Sequence, residues 1–371
     1  MVLTKLVQHL PYNSWPAFIL LCSFKKPISY IVKKILSGLL ILYTLFCQAQ
    51  NKHPDRQQIA SIGDLKVSGG TIKDCKVGYR MFGKLNADKN NAVIFLTWFG
   101  GVSKDIVNPI NFSAIDTTRY CLIIIDALAD GVSSSPSNST TQHGRNFPVF
   151  SAADMIESQH VLLTQNLGIK HVKAVMGISM GGIQTFQWAV SYPDFMDYLI
   201  PIVGTPQFTS YDNMRGDIYR RLLEKDPDYN HGNYTVNPKI TIINMFWEML
   251  LTTPTEKVRA HPHDDFHKWL TNVEAQQHSD WNDTWYQSNA LAEFDITKPY
   301  GGSFEETAKH VKAKMVIVTC LQDHIVNPKP CIDFAQAVNA KLVKIDNDAG
   351  HLGGNLGNAD AHKAVVEALA N

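Results

Sequence analysis

A mostly parallel β-sheet covered by helices on both faces is the fold class that the 371-residue sequence predicts, and three observations point to it. Short, mostly apolar runs at residues 92–96, 121–125, 172–176 and 315–319 lack the polar alternation of a half-exposed strand, so they read as strands buried on both sides, and 342–345 reads as the strand that follows. Helix-like stretches separate these runs, and strands alternating with helices build a parallel, doubly wound sheet. The third observation is Gly177-Ile178-Ser179-Met180-Gly181, set between the 172–176 run and a helix-like run from Gly182 to Tyr192. A strand that turns sharply into a helix at a serine lifts the hydroxyl above the sheet. Glycine is needed two positions to either side, where neighbouring chain passes too close for a Cβ.

Taken in order, residues 59–114 read as opening antiparallel strands followed by the first buried strand, and 121–125 as the next. Gly131 to Ser139, rich in serine, reads from composition as a surface loop. Ser151 is placed as a helix N-cap with Asp154 at the capping-box position, and the helix runs to Leu167 before Gly168 closes it. Residues 155, 156, 162, 163 and 167 supply its buried face. From Thr205 to about His310 the rhythm breaks into a stretch rich in Trp, Tyr, Asn and His, with a strongly apolar segment at 240–251. This reads as an inserted helical lid. The expected organisation is therefore a signal region at 1–49, a first part of the core at 50–204, the lid at 205–310 and the rest of the core at 311–371.

A serine at such a turn needs a histidine base and a carboxylate, which in this arrangement follow it in the order acid, then histidine. Asp323 lies just past the 315–319 strand, and His351 follows the 342–345 strand in Ala349-Gly350-His351-Leu352. Ser179 would attack a carbonyl, His351 would take and return the proton, and Asp323 would hold the imidazole tautomer and stabilise its cation. The competing readings are a turn aspartate and a loop histidine beside glycines. Two backbone N–H groups must meet the developing oxyanion. Met180 is expected to supply one and Phe99, in the loop after the 92–96 strand, the other. Trp98, Leu352 and Tyr286 are candidate substrate contacts, and Tyr211, Trp247, Trp281 and Trp285 further candidate pocket aromatics, although packing of the lid explains these aromatics equally well.

With these residues in hand, the chain resembles the homoserine O-acetyltransferase family of α/β-hydrolase-fold proteins. The resemblance rests on Val77 to Asn86 before Asn91-Ala92-Val93, on Gly177 to Gly182 with Gln184, Trp188 and Ala189, on Tyr192-Pro193, and on Trp285-Tyr286 to Phe294-Asp295. It implies a Ser179–Asp323–His351 triad, a helical lid over a deep acyl tunnel, and an approach of the 131–139 segment to the active site. Two departures matter. Transferases of the family carry an aspartate directly after the catalytic histidine to hold the substrate amine, and here that position is Leu352. Asp280-Trp281-Asn282 stands where Arg-Phe-Asp is expected. A zwitterionic acceptor needs opposite charges at both ends, so the resemblance implies acyl-serine chemistry more strongly than homoserine specificity.

Composition excludes several classes. Lys+Arg and Asp+Glu both number 34, with 45% hydrophobic residues, which describes a globular chain without the basic excess of a nucleic-acid binder. Lys33-Lys34 precede an apolar run at 35–46, and Cys47-Gln48-Ala49 offers a cleavage point. The run is short of the roughly 20 residues a membrane span needs, so it reads as a secretory signal, with periplasmic or extracellular export and no stable membrane span after its removal. A lipid anchor at Cys47 is the alternative. Export permits disulfides among Cys75, Cys121, Cys320 and Cys331; a Cys320–Cys331 bridge around Asp323 and two buried free thiols are both open. His263 and His267 would share a helix face and so invite a metal, yet serine chemistry requires none, and solvated lid histidines are the plainer reading. No metal and no bound cofactor are expected. The oligomeric state stays open, a homodimer being allowed.

Three functions follow. The leading one is hydrolysis of a small ester through an acyl-Ser179 intermediate, favoured by Leu352 and by export away from acetyl-CoA. The second is O-acyl transfer to an alcohol, with acyl-CoA as co-substrate and the lid excluding water. The third is a non-catalytic binding module.

Overall fold

The computed structural model describes residues 56–276 and 279–370. The signal region expected at 1–49 lies outside the described residues. β1 (Gln58–Val67) and β2 (Gly70–Phe82) open the chain as an antiparallel pair, followed by β3 (Ala92–Leu96). Short helices α1 (Ser103–Ile106) and α2 (Pro109–Ala114) lead to β4 (Cys121–Ile125), and α3 (Ala152–Val161) leads to β5 (Val172–Ile178). Next come α4 (Met180–Ser191) and β6 (Met196–Ile202). Six helices then intervene: α5 (Ser210–Lys225), α6 (Thr241–Leu251), α7 (Pro254–Ala260), α8 (Phe266–Glu274), α9 (Trp281–Ala290) and α10 (Phe304–Ala308). β7 (Lys314–Cys320), α11 (Lys329–Ala337), β8 (Lys341–Ile345) and α12 (Ala359–Ala370) complete the described chain.

The eight strands form one sheet in the order β1-β2-β4-β3-β5-β6-β7-β8. β1–β2 and β2–β4 are antiparallel, and every pair from β4–β3 onward is parallel. The mostly apolar runs have the predicted cause. Ile94 and Leu96 of β3, with Ile123 and Ile125 of β4, pack with Met155, Phe186, Trp188 and Phe334 of α3, α4 and α11. Val93, Phe95, Leu122 and Ile124 turn the other way, onto Ile106, Ala361, Val365 and Leu369 of α1 and α12. With a helical layer on each face, neither side of a strand is free to be polar.

Helix α3 begins as expected: Ser151 Oγ accepts from the Asp154 N–H at 3.2 Å and Asp154 Oδ2 accepts from the Ser151 N–H at 2.8 Å. Its continuation to Asn166 widens into a π-helical turn. The intervening helices have an aromatic cluster of their own, including Tyr219, Tyr229 and Trp281.

Three expectations are corrected. The 131–139 segment is a surface loop only in part: Gly131 and Asn138 are exposed, but Ser133 and Ser135 are fully buried. Ser133 Oγ accepts from the Gly78 N–H and donates to the Asp126 carbonyl, so its serines satisfy backbone groups inside the protein, and this segment is not among the residues lining the cavity at Ser179. Cys320 and Cys331 form no bridge: all four described cysteines are buried free thiols, and Cys331 Sγ donates to the Gly204 carbonyl at 2.9 Å. His263 and His267 do not share a helix. The first sits in a 3-10 turn, the second in α8, and both are exposed.

Candidate active site

Ser179 occupies the junction of β5 and α4 with φ +58° and ψ −119°, a left-handed backbone that an L-residue adopts only when its surroundings enforce it. The enforcement is visible. The Ser179 N–H donates to the Ile202 carbonyl at 2.9 Å, tying the turn to β6. A Cβ on Gly177 would collide with the Gly181 backbone, and one on Gly181 with the Leu96 carbonyl, which is why both positions are glycine.

The carboxyl ends of β7 and β8 bring the other two groups. Asp323 follows β7 in a tight turn where its Oδ1 accepts from the N–H groups of Ile325 (2.7 Å) and Val326 (2.9 Å). Its Oδ2 faces His351 Nδ1 at 2.7 Å, and His351 Nε2 faces Ser179 Oγ at 2.8 Å. His351 rides on the 3-10 turn Gly350–Gly354, entered through Gly350 at φ +57°. Both Asp323 and His351 are buried, so little water competes for their contact. The three side chains singled out from the sequence form one continuous relay from carboxylate through imidazole to hydroxyl. Such a relay lowers the cost of removing the hydroxyl proton.

Met180 and Phe99 line the same cavity as Ser179. Met180 is the first residue of α4, so its N–H has no acceptor within the helix and sits at the positive end of the helix dipole. The Phe99 N–H donates to no other group among the described residues. Its loop is held from two sides. Gln184 Nε2 donates to the Thr97 carbonyl at 3.1 Å, at the end of a buried chain in which Trp188 donates to Gln159 and Gln159 to Gln184. On the other side Gln287 of α9, fully buried, accepts from the Gly100 N–H at 2.8 Å and donates to the Leu128 carbonyl at 3.2 Å.

The cavity measures about 470 Å³ and opens over Ser179, walled by Trp98, Phe99, Ile183, Tyr219, Trp247, Trp281, Leu291 and Leu352 among others. Trp98 and Leu352 therefore stand where they were expected. Tyr286 does not. Its hydroxyl donates to the carbonyls of Phe147 (2.6 Å) and Arg145 (3.2 Å), its ring packs against Phe147 and Phe150, and it is buried away from the cavity. Trp285 lies under the Arg145 guanidinium, and the Tyr211 hydroxyl donates to the His324 carbonyl, so neither lines the cavity. Sequence reasoning missed Arg215, which lines the cavity, and Gln287, whose role depends on partners far along the chain. Among the described residues, no group of three or more His, Cys, Asp or Glu side chains is placed to hold a metal ion.

Comparison with known proteins agrees with this fold. Residues 91–354 match the family described as alpha/beta hydrolase fold. An ethyl acetate hydrolase of Pseudomonas veronii is 26% identical over 311 residues, covering 80% of this chain and 89% of that one. A homoserine O-acetyltransferase of Methanosalsum zhilinae is 28% identical over 335 residues, covering 78% of this chain and 67% of the relative. The crystal structure of an acetylester hydrolase from Corynebacterium glutamicum superposes with a TM-score of 0.75 at 25% identity, covering 85% of this chain and 96% of that one.

Proposed function

The chain belongs to the α/β-hydrolase fold family and is an enzyme of small esters and acyl groups, and within that class we propose that it is a serine ester hydrolase working through an acyl-Ser179 intermediate. The observation that carries the reading is the unbroken contact from Asp323 through His351 to Ser179, at 2.7 and 2.8 Å, beneath a largely apolar cavity. Ser179 Oγ attacks the ester carbonyl as His351 Nε2 takes its proton. Asp323, fixed by two backbone N–H groups, keeps the imidazole in the tautomer that can accept there. The N–H groups of Met180 and Phe99 receive the negative charge on the carbonyl oxygen. His351 returns the proton to the leaving alcohol, then takes one from the water that attacks the acyl carbonyl and gives it to Ser179 Oγ as the acid departs.

Leu352 favours water over an amino-alcohol acceptor. It is 48% exposed and lines the cavity beside His351, where an apolar side chain gives an ammonium group no partner. Ethyl acetate and acetyl ester hydrolases among the relatives favour the same reading, while homoserine O-acetyltransferases keep acyl transfer from acyl-CoA as the second one. Under either, helices α5 to α10 act as the lid. Export by the 1–49 leader belongs to the same proposal; N-terminal sequencing of the secreted protein is expected to begin near Gln50.

Incubation with a small activated ester, with and without homoserine, separates the readings. Free acid as the main product in both incubations is the expected outcome, with an acylated enzyme that Ser179→Ala does not form. Predominant acyl-homoserine would establish the transferase instead, and absence of any acyl-enzyme would leave a binding module.

A further inference from the structure

Beyond the Ser179 relay, four charged side chains line the cavity: Asp212, Arg215, Arg220 and Glu248. Three are matched within the protein. Asp212 caps α5, its Oδ2 accepting from the Thr209 N–H and hydroxyl at 2.8 and 2.6 Å and its Oδ1 from the Asn327 N–H at 2.9 Å. Glu248 pairs with Lys257 at 2.5 Å. Arg220 donates to the Ser288 carbonyl and hydroxyl, both at 3.2 Å, and stands 3.9 Å from Asp217.

Arg215 differs. Its Nε is buried without a hydrogen-bond partner, and it makes no ion pair among the described residues. Aromatic rings surround it, Trp247 at 5.5 Å and Phe208 at 6.0 Å from the guanidinium carbon. Burial works against its charge and lowers its pKa, with the Asp212 and Asp323 carboxylates acting in the opposite direction. Those carboxylates already take their hydrogen bonds from other groups. A partly buried cation without a paired anion is poorly compensated, and a ligand anion in the cavity would offset that cost. The guanidinium fork matches a carboxylate in shape and charge. On the histidine side of the same cavity, Leu352 offers an ammonium nothing.

Resting on the esterase reading of the site, we infer that Arg215 binds a carboxylate of the substrate, so that the preferred ester is a monoanion that ends in a carboxylate and bears no amine. Hydrolysis would consume one water and yield an acid and an alcohol, one of which keeps the bound carboxylate. The carboxylate belongs either to the acyl half, as in a monoester of a dicarboxylic acid, or to the alcohol half, as in an acylated hydroxy acid.

Two substrate pairs distinguish these sources: monoethyl succinate against ethyl succinamate, and 3-acetoxypropanoate against 3-acetoxypropanamide. One anion is expected to exceed its neutral amide in kcat/KM by about 10- to 100-fold, the worth of a hydrogen bond to a charged group. In Arg215→Gln that ratio should fall towards one, mainly through KM, and Arg215→Lys should restore part of it. Absence of an anion preference in the unaltered enzyme for both pairs would overturn the inference, as would an equal loss on anion and amide in Arg215→Gln and Arg215→Lys. Calorimetric binding of the same four compounds to Ser179→Ala keeps the test independent of turnover. Tighter binding of an anion than of its amide there, with no turnover of any ester by the unaltered protein, would sink the esterase reading while leaving the carboxylate site. Turnover of all four esters without preference would sink the carboxylate site alone.

Discussion

Leu352 is the residue at which the two enzymatic readings part. It adjoins His351 and faces the cavity, so a carboxylate there would supply the ammonium partner that leucine withholds. Leu352→Asp is expected to raise the fraction of acyl groups delivered to homoserine over water by about tenfold, the scale of a charge-assisted contact; product ratios at fixed homoserine measure it. Gln287 bears on the other side of the carbonyl. Its side chain bridges Gly100 and Leu128, and so fixes the loop of Phe99, which lines the cavity. Gln287→Leu leaves both partners unsatisfied and should lower kcat about tenfold or more with a smaller change in KM, since small displacements of an oxyanion donor are costly. Ser179, Asp323 and His351 were legible in the sequence because each has a local cue, a glycine frame or a strand end. Tyr286 was misread because its hydroxyl partners, Arg145 and Phe147, lie some 140 positions away in sequence. Arg215 escaped notice because nothing local shows whether a helical arginine faces water or a cavity.

The join between helix α9 and the 131–139 segment is a pH-sensitive contact between elements. Asp283 of α9 accepts from the Ser137 N–H at 2.9 Å and the Ser137 hydroxyl at 2.5 Å, and burial pushes its pKa up to about 7. A carboxyl whose pKa is raised in the folded state binds more protons folded than unfolded between the ordinary value near 3.8 and about 7. Its contribution to stability is therefore greatest at acid pH and is lost as pH rises through that window. Asp283→Asn should flatten this part of the stability profile; thermal melts from pH 4 to 8 on both proteins check it, and an unchanged slope would contradict it. Strand β7 and helix α11 carry a second prediction. Burial raises the thiols of Cys320, to about 12, and Cys331, and both are free. Reductant should change neither mass nor activity, and alkylation should proceed only after denaturation. The short strands were legible as apolar runs, whereas the 131–139 serines looked solvated because composition does not reveal a loop that hydrogen-bonds backbone inside the protein.

At the scale of the molecule, a parallel sheet clad on both faces sets one end of its strands aside for chemistry. β5, β7 and β8 each end near a member of the relay, and residues of helices α5, α6 and α9 line the cavity at Ser179. The alternation of strand and helix made this layout readable, because double-sided burial leaves mostly apolar runs. The packing of the insertion was less readable: its aromatic cluster of Tyr219, Tyr229 and Trp281 brings together positions that share no period. On the proposed mechanism Ser179 becomes acylated, and intact-protein mass spectrometry after rapid mixing with a small activated ester detects that adduct. The predicted result is a single acyl increment on the unaltered enzyme, mapped to the peptide holding Ser179, absent in Ser179→Ala, and accompanied by turnover that falls by about 10⁴ in His351→Ala. An increment elsewhere, or turnover that survives Ser179→Ala, would contradict it.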